Sequence, residues 1–398
     1  MSNRSKTLND VCEFIVDCLH ATAPTQEDGY PLIRTPNIGK GRLILDDVYR
    51  VSEDTYEEWT RRAVPRVNDL ILAREAPAGN VAIIKSEQQV CLGQRTVHLR
   101  PDTDQVDPDY LCYFLLSPLQ RGLLLAGETG ATAKHVNMKD IRRLPLKNLP
   151  RIEVQRRIAS ILSPYDDLIE NNRRRIHLLE EAARLLYREW FVHLRFPGHE
   201  HVRIVDGVPE GWEARTLGDL CEEIREIVKP KALEPDTPYI GLEHMPRRSI
   251  SLSEWGRADQ VTSSKHRFQE DDILFGKIRP YFHKVGIAFV DGVASSDAIV
   301  IRPCKHYLLN FVLMTVSSDP FIAVTAQTMK EGSKMPRADW KQMQAYPTPI
   351  PPMSLLDNYD RSIQAIVEQL KNLTLTNRKL AQARDLLLPR LMNGEIAV

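Results

Sequence analysis

The sequence predicts an α/β (α+β) protein in which two similar mixed domains are joined by two long, coiled-coil-like helices. The first observation is an internal repeat: the motif at 67–77, VNDLILAREAP, returns at 270–280 as EDDILFGKIRP. The second is that a helical stretch at 155–162 also returns, at 360–367. Solenoid repeats are about 20–50 residues long, and this unit is far longer. The chain is therefore predicted to contain two half-molecules of one design.

Composition indicates an ordinary globular protein. The 398 residues are 42% hydrophobic and 27% charged, and 53 basic residues balance 53 acidic ones. Zero net charge argues against binding of nucleic acid through bulk charge, so any such site has to be a local patch. The six cysteines lack metal-ligand spacing, and neither a zinc site nor a disulfide framework is indicated. Without a long apolar run or a signal pattern, we expect a cytoplasmic protein with no membrane contact.

Four segments follow one another along the chain. Residues 1–150 and 196–352 alternate short strand-like runs with helix-like stretches, which is typical of mixed domains. Residues 151–195 and 353–398 show helical periodicity instead. The sequence thus predicts a first mixed domain, a central helical region, a second mixed domain and a C-terminal helical region.

Both helical regions carry apolar residues at steps of three and four, which predicts a heptad seam. Asn172 and Asn377 lie on the seam, where a buried asparagine commonly fixes helix register; the alternative is that they face solvent. Pro164 allows two interpretations, a kink within one helix or a new helix start, because proline removes a hydrogen bond inside a helix but is favourable after a serine cap. Of the two, we expect a short helix to end here and a long one to begin. The predicted seam is Ile158, Leu162, Ile169, Asn172, Leu179, Leu186, Trp190, Ile363, Leu370, Asn377, Leu380 and Leu387.

Catalytic motifs are missing from the sequence. There is no P-loop, no dinucleotide-binding glycine motif and no metalloprotease motif. The stretch at 349–352 has Ile350 where an adenine or cytosine methylase needs an amide or a carboxylate. The sequence therefore favours a protein that is not an enzyme.

Two similar domains on long helices suit a target with two separated parts, such as double-stranded DNA, whose half-sites lie about 34 Å apart when one helical turn separates them. Arginine and lysine can donate to guanine or phosphate, and asparagine and glutamine can pair with adenine. An ordinary solvated loop charge is the alternative for each candidate. The candidates in the first domain are Arg34, Asn37, Lys40, Arg74, Gln94, Arg95, Lys134, His135 and Asn137. Those in the second domain are His244, Arg247, Lys277, Arg279, His283, Ser296, Lys334 and Arg337.

Position strengthens this set of candidates. Arg74 and Lys277 occupy equivalent places in the repeat, and the same holds for Lys134 and Lys334. By contrast, the pair at 94–95 does not match its counterpart in the second half. Different half-site sequences would require such a mismatch.

Several stretches together resemble the specificity (S) subunit of type I restriction-modification systems. They are the helical run at 155–197, VPEGWEARTLGDL at 208–220, and LTNRKLAQARDLLLPRLMNGEI at 375–396. GETGATAKHVNMKDIRRLPL at 127–146 supports them. The likeness spans nearly the whole chain.

The resemblance implies two target recognition domains, each reading one half of a split, asymmetric DNA sequence, with two antiparallel helical regions that set the spacer. In this family the helices also dock two adenine-N6 methylase subunits, which use S-adenosylmethionine. The complex can recruit a restriction subunit, a translocase and nuclease that uses ATP and Mg²⁺. The chain itself would hold no metal, cofactor or catalytic residue. A coiled-coil scaffold with two protein-binding α/β domains is the alternative.

Overall fold

The computed structural model describes residues 6–45, 48–85, 89–126, 128–129, 135–327 and 336–398. The chain divides into two compact units. Unit 1 comprises Met1–Glu170 and Lys379–Val398, and unit 2 comprises Asn171–Arg378. The boundaries between the units, at 170/171 and 378/379, each lie within a long helix, so each unit contains part of both long helices.

Short strands and a few helices build unit 1. The strands are β1 Cys12–Asp17, β2 Tyr30–Ile33, β3 Gly41–Arg42, β4 Arg50–Val51, β5 Leu70–Ala73, β6 Val81–Ile83, β7 Cys91–Leu92, β8 Thr96–Pro101, β9 Glu128–Thr129 and β10 His135–Val136. The helices are α1 Glu53–Thr60, α2 Pro108–Leu116, α3 Pro118–Leu125, α4 Met138–Arg142 and the start of α5 Ile152–Tyr187.

Unit 2 uses the same kinds of element. Its strands are β11 Ile204–Val205, β12 Val208–Pro209, β13 Cys221–Ile224, β14 Ile227–Val228, β15 Pro238–Ile240, β16 Gly256–Arg257, β17 Lys265–Phe268, β18 Ile273–Gly276, β19 Val285–Ile287, β20 Gly292–Ala294 and β21 Ala298–Pro303. Its helices are α6 Leu309–Val316, α7 Asp319–Gln327, α8 Trp340–Met343 and most of α9 Met353–Met392.

A five-stranded sheet, in the order β1-β8-β5-β6-β3, forms the centre of unit 1. β5 pairs antiparallel with β8, and Leu70 lies opposite Leu99. Side chains alternate across β5, so that Leu70 and Leu72 belong to one apolar cluster while Ile71 and Ala73 belong to another. Because both faces of the sheet are covered, every residue of this strand is apolar and buried.

Unit 2 repeats this design in a four-stranded sheet, β13-β21-β18-β19. β18 pairs antiparallel with β21, and Ile273 lies opposite Ile301. Ile273 and Phe275 belong to one apolar cluster and Leu274 to another. A second sheet in each unit contains a parallel pair, β2 with β7 in unit 1 and β15 with β20 in unit 2. The internal repeat is therefore confirmed in topology and register.

A buried carboxylate at the start of the central strand anchors each sheet. In unit 1, Arg100 Nε donates to Asp69 Oδ1 at 2.9 Å and Nη2 donates to Oδ2 at 2.8 Å, while His98 Nε2 lies 2.6 Å from Oδ2. Burial alone would raise the pKa of Asp69, but the hydrogen bonds from Arg100 and His98 outweigh it and the pKa is lowered. In unit 2, Arg302 donates to both oxygens of Asp272 at 2.7 Å. A two-pronged ion pair thus recurs with the strands.

The helix α5 continues through Pro164, so the expected end of one helix and start of another at this point is wrong. Proline removes one backbone hydrogen bond from a helix interior. The turns on either side are held by tertiary packing, since Leu162 is 0% and Asp166 3% exposed. Tertiary contacts of this kind supply most helix stability in proteins and here outweigh the local signal.

The two long helices run antiparallel in unit 2. Asn172 Nδ2 donates to Asn377 Oδ1 at 2.8 Å, and the rings of Trp190 and Tyr359 lie 5.6 Å apart between centroids. The two asparagines therefore bond to each other, and the alternative that both face solvent is wrong. Of the predicted seam, the buried residues are Ile158, Leu162, Ile169, Asn172, Trp190, Ile363 and Leu370. The partly buried ones are Leu179, Leu186, Asn377, Leu380 and Leu387.

Buried charged residues on the long helices were missed by the apolar pattern. In unit 1, Asp166 accepts a hydrogen bond from Tyr113 Oη at 2.6 Å and forms an ion pair with Arg384 of α9. Gly41 has a φ of +104° and a Cβ there would lie 2.5 Å from Asp166 Oδ2, so glycine is needed for this approach. In unit 2, Glu180 is buried as well. Both helices are thus held by polar as well as apolar contacts.

Candidate nucleic-acid interface

In unit 1, three backbone hydrogen bonds join the loops that carry several predicted contacts. Gly93 N–H donates to the Ile33 carbonyl at 2.8 Å, Arg74 N–H to Arg95 at 2.9 Å, and Val136 N–H to Arg74 at 3.0 Å. These loops begin where β2, β5 and β7 end. We call these segments the loop frame of unit 1: 33–34, 74, 93–95 and 136.

Unit 2 forms the same three hydrogen bonds at equivalent positions. Ser295 N–H donates to the Ile240 carbonyl at 2.9 Å, Lys277 N–H to Asp297 at 2.7 Å, and Ala338 N–H to Lys277 at 2.9 Å. The loop frame of unit 2 is therefore 240–241, 277, 295–297 and 338. The backbone that presents the loops is duplicated, whereas most side chains on it differ.

Two exposed arginines of unit 1 have different partners. The guanidinium of Arg34 stacks on the ring of Tyr49, 4.1 Å from its centroid. Arg95 forms an ion pair with Glu75 instead. Arg74 is partly buried, and its Nε donates to the Val136 carbonyl at 2.9 Å. Of these two exposed arginines, Arg34 stacks on an aromatic ring and, among the described residues, has no carboxylate within ion-pair distance.

The other predicted contacts of unit 1 vary in exposure. Lys40 is exposed, while Gln94 and His135 are partly buried. Asn137 is the N-cap residue of α4. Lys134 lies outside the described residues.

Carboxylates accompany two predicted cations of unit 2. Lys277 Nζ donates to the Ser296 carbonyl at 3.2 Å and lies 3.9 Å from Glu223. Burial lowers the pKa of Lys277. Arg337 is exposed and forms an ion pair with Asp297 at 3.1 Å. A phosphate would therefore compete with these acids for both cations.

Two other arginines of unit 2 lie over an aromatic ring. Arg247 and Arg279 are exposed, and their guanidinium carbons lie 4.1 and 5.7 Å from the centroid of Phe282. His244 Nδ1 accepts a hydrogen bond from the Gly241 N–H at 2.9 Å. The His244 ring is thereby fixed against the loop frame.

Two side chains that the sequence predicts to contact DNA are buried, so these two predictions are corrected. Asn37 is 8% exposed and its Nδ2 donates to the Ile44 carbonyl at 3.2 Å. His283 is 6% exposed, its Nε2 lies 2.7 Å from the Ser317 carbonyl, and burial lowers its pKa. Both side chains hold loops in place and neither is placed to contact DNA. Lys334 lies outside the described residues.

Sequence reasoning missed the acids that neutralise candidate cations, namely Glu75, Glu223 and Asp297. It also missed two exposed aromatic residues, Tyr49 and Tyr281, which are 48% and 52% exposed. The sequence did contain a signal for Tyr281. After the matched prolines of the repeat, the first half continues with alanine and glycine, whereas the second half has Tyr281. For the acids no local signal exists, since partners such as Glu223 and Lys277 are far apart in sequence.

Within the residues that the structure describes, no group of three or more His, Cys, Asp or Glu side chains could hold a metal ion. Over the same residues, no single helix is long and apolar enough to cross a membrane; only the bent pair His306–Val316 and Asp319–Gln327 passes that test, by length and composition.

Comparison with known proteins defines the class of this architecture. The family model of the type I restriction modification DNA specificity domain matches twice, at residues 3–181 and 209–384. The type I restriction enzyme MjaIX specificity subunit of Methanocaldococcus jannaschii is 25% identical over 368 residues, covering 87% of this chain and 82% of that protein. The putative MjaX specificity subunit of the same organism is 22% identical over 407 residues, 99% of this chain and 93% of that protein.

A solved structure shows the same fold. The crystal structure of the type I restriction-modification S subunit from M. genitalium aligns with a TM-score of 0.55 at 15% identity, covering 98% of this chain and 97% of that one. The protein is a two-domain DNA specificity protein by class. It belongs to the family of type I restriction modification DNA specificity domains and carries two copies of that domain. The predicted family and fold class are confirmed, and the alternative of a protein-binding scaffold is wrong.

Proposed function

We propose that this chain is the DNA-reading subunit of a type I restriction-modification complex and that each unit reads one half of a bipartite, asymmetric site. The observation that carries the proposal is the duplicated loop frame. Three backbone hydrogen bonds recur at equivalent positions, while Arg95 in one frame corresponds to Asp297 in the other. Identical frames with different side chains suit two different half-sites.

The chain contributes recognition and not chemistry in this proposal. The antiparallel helices set the spacer and dock two adenine methylase subunits, which hold S-adenosylmethionine. A restriction subunit, where it joins, supplies the reactions that need ATP and Mg²⁺. The complex acts on cellular DNA in the cytoplasm. The isolated chain incubated with S-adenosylmethionine, Mg²⁺ and DNA should neither methylate nor cleave the DNA.

Selection from a random double-stranded DNA library tests the proposal directly. The full chain, co-expressed with two adenine methylase subunits of a type I system, is expected to enrich a motif of two unlike halves separated by a fixed, unspecified spacer. Adenine methylation should fall within the same motif. A palindromic motif, a single undivided motif or no enrichment would contradict the proposal.

The four cations that the internal repeat pairs provide a second test. Removing Arg74, Lys134, Lys277 and Lys334 together should weaken binding to the selected duplex, since each lost base contact is worth about 1–3 kcal/mol and each phosphate contact acts on all sequences alike. Gel-shift titration at fixed salt measures the loss. Unchanged affinity would show that the DNA surface lies elsewhere.

Partner docking is tested on the helices. Aspartate at both Leu179 and Leu380, which are partly buried, should disrupt the helix seam and abolish assembly with the methylase subunits. Leu178 is 67% exposed on the same helix, so aspartate there is a control that leaves the seam intact. Size-exclusion chromatography with light scattering measures assembly. A stable complex of the double variant would contradict a role for the seam.

A further inference from the structure

The loop at 279–283 in unit 2 keeps an unusual backbone conformation without the glycine that would make it easy. Arg279 and His283 have φ values of +49° and +53°. The equivalent positions in unit 1 are Ala76, with a φ of +48°, and Gly79, with a φ of +80°. A positive φ is uncommon for residues other than glycine, and the strain that it stores concentrates at functional sites. The second copy therefore keeps a positive φ at both positions, and at the second of them His283 replaces a glycine.

The content of this loop differs from that of its counterpart. Where unit 1 has Ala78 and Gly79, unit 2 has Tyr281, Phe282 and His283, one residue more. Ala78 is buried. Tyr281 is 52% exposed, and its ring meets that of Phe282 edge-on at 5.1 Å between centroids. Unit 2 therefore projects an aromatic side chain where unit 1 has a covered methyl group.

Two arginines accompany this ring pair without a carboxylate. Arg247 and Arg279 lie over Phe282, and among the described residues no acid is within ion-pair distance of either. A guanidinium stacked on a ring keeps its N–H groups free for phosphate or base oxygens. Arg337 differs, because Asp297 already holds it.

The loop is held on several sides. Arg279 N–H donates to the Pro336 carbonyl at 3.0 Å, and Arg248 N–H donates to the His283 carbonyl at 2.9 Å. Ile278 pairs with Arg337 in an antiparallel bridge, next to the loop frame of unit 2. The tip is therefore placed beside the candidate contacts on a fixed support, which is the arrangement that a recognition residue needs.

We propose that Tyr281 is a specificity residue of unit 2 that inserts its ring at a base step of the half-site, while Arg247 and Arg279 contact the flanking phosphates. Apolar and aromatic wedges at base steps are an established means of reading double-stranded DNA, and arginine is suited to phosphate. The equivalent residue of unit 1 is the buried Ala78, so this contact is confined to one half-site. The inference rests on the proposed function.

The test uses the full chain with its methylase partners and the duplex that the wild type selects. Tyr281→Ala should bind this duplex about 10-fold more weakly, in the range of a lost aromatic–base contact, while Tyr281→Phe stays within about twofold because stacking needs only the ring. Tyr307→Ala is the matched control, since Tyr307 is 39% exposed elsewhere in unit 2. 2-Aminopurine placed along the unit 2 half-site should brighten on binding of the wild type and of Tyr281→Phe, but not of Tyr281→Ala.

The outcomes separate the two proposals. If the wild type selects a bipartite motif and Tyr281→Ala binds it equally well with the same fluorescence, the role of Tyr281 is overturned and the proposed function stands. If Tyr281→Ala weakens an unrelated duplex to the same degree, the base-step contact is also overturned. If the wild type selects no motif, the proposed function fails together with this inference.

Discussion

Unit 1 and unit 2 contain the same two-pronged ion pair in surroundings that differ. Asp69 is 2% exposed and bonds to both Arg100 and His98. Asp272 is 1% exposed, but its partner Arg302 has a side chain that is 33% exposed. The carboxylate is thus equally buried in both units, but two side chains hydrogen-bond to it in unit 1 and one arginine does so in unit 2.

The edges of the units differ much more than their centres. Unit 1 carries α1, whose exposed face includes acidic residues such as Glu57 and Glu58. Unit 2 extends its second sheet to five strands, with β14 and β16 at the edges, against three strands in unit 1. The comparison teaches that the buried sheet constrains substitution, because a changed core side chain leaves a cavity or an unpaired charge, whereas an exposed loop or edge can change freely.

The largest effect is expected at the buried carboxylates. Asp69→Ala should lower the free energy of unfolding by about 3–5 kcal/mol, because it leaves a partly buried arginine and a buried histidine without this acceptor. Asp272→Ala should cost about 1.5–3 kcal/mol, since Arg302 can reach water. Urea denaturation followed by circular dichroism measures both. Equal losses would show that the additional partner in unit 1 contributes nothing.

The helix seam should show the next largest difference between the units. Asp166→Ala removes the buried partner of Arg384 and should cost about 3 kcal/mol. Asn377→Ala in unit 2 removes a hydrogen bond between two neutral side-chain amides and should lower the free energy of unfolding by about 1 kcal/mol. Asp385 also pairs with Arg384, but its side chain is 55% exposed, so Asp385→Ala is a control expected to cost less than about 1 kcal/mol. Denaturation midpoints rank the three variants, and a large loss for Asp385→Ala would contradict the role of burial.

DNA affinity should distinguish an arginine stacked on a ring from one paired with an acid. Arg34→Ala is expected to weaken binding to the selected duplex by about 1–3 kcal/mol and to relax preference in the half-site read by unit 1. Arg337→Ala should have a smaller effect, confined to the other half-site, because Asp297 already engages this arginine. Asp297→Asn should then tighten binding by releasing Arg337. Repeating the library selection with each variant shows which half-site of the DNA motif loses its base preference. If Arg34→Ala and Arg337→Ala relaxed the same half-site, the proposal that each unit reads its own half-site would be contradicted.

Much of the fold could be predicted from the sequence because its determinants are local and occur twice. The apolar strand at 70–73 and its counterpart at 273–276 fix both sheets, and the heptad steps identify the helix seam. Pro164 misled the prediction because its local preference is outweighed by packing of the neighbouring turns. Asp166 was missed because a charged residue on a helix is ordinarily solvent-exposed, and its partners Tyr113 and Arg384 are distant in sequence.

The candidate site was less predictable for the same reason. Loop positions such as Arg74 and Lys277 could be matched through the repeat, and the loop frame places them equivalently. Whether a loop cation faces a carboxylate, as Arg95 faces Glu75, depends on tertiary geometry that sequence spacing does not contain. The buried side chains of Asn37 and His283 were predicted to contact DNA, because the sequence shows that a loop residue is polar but not whether it is exposed.

The smallest expected effect concerns the matched pair Arg74 and Lys277. An arginine keeps its charge at all accessible pH values. Burial lowers the pKa of Lys277 below its usual 10.5, although Glu223 opposes the shift. A cation with a lowered pKa contributes fully below that pKa and is lost as pH rises through it. Between neutral pH and 10.5, affinity for the unit 2 half-site should therefore fall, by about fivefold at most if the contact resembles an exposed ion pair.

Lys277→Arg should remove this fall in affinity, since the guanidinium does not titrate in that range. Arg74→Lys is the reciprocal variant, and it introduces a titrating group into the unit 1 frame. Affinity of this variant for the unit 1 half-site should fall as the pH approaches the usual pKa of lysine, about 10.4. Fluorescence anisotropy from pH 7 upward, at constant ionic strength, follows all three proteins on the selected duplex. Identical pH profiles for the wild type and Lys277→Arg would show that Lys277 does not touch the DNA, and would leave the unit 2 contact to its arginines.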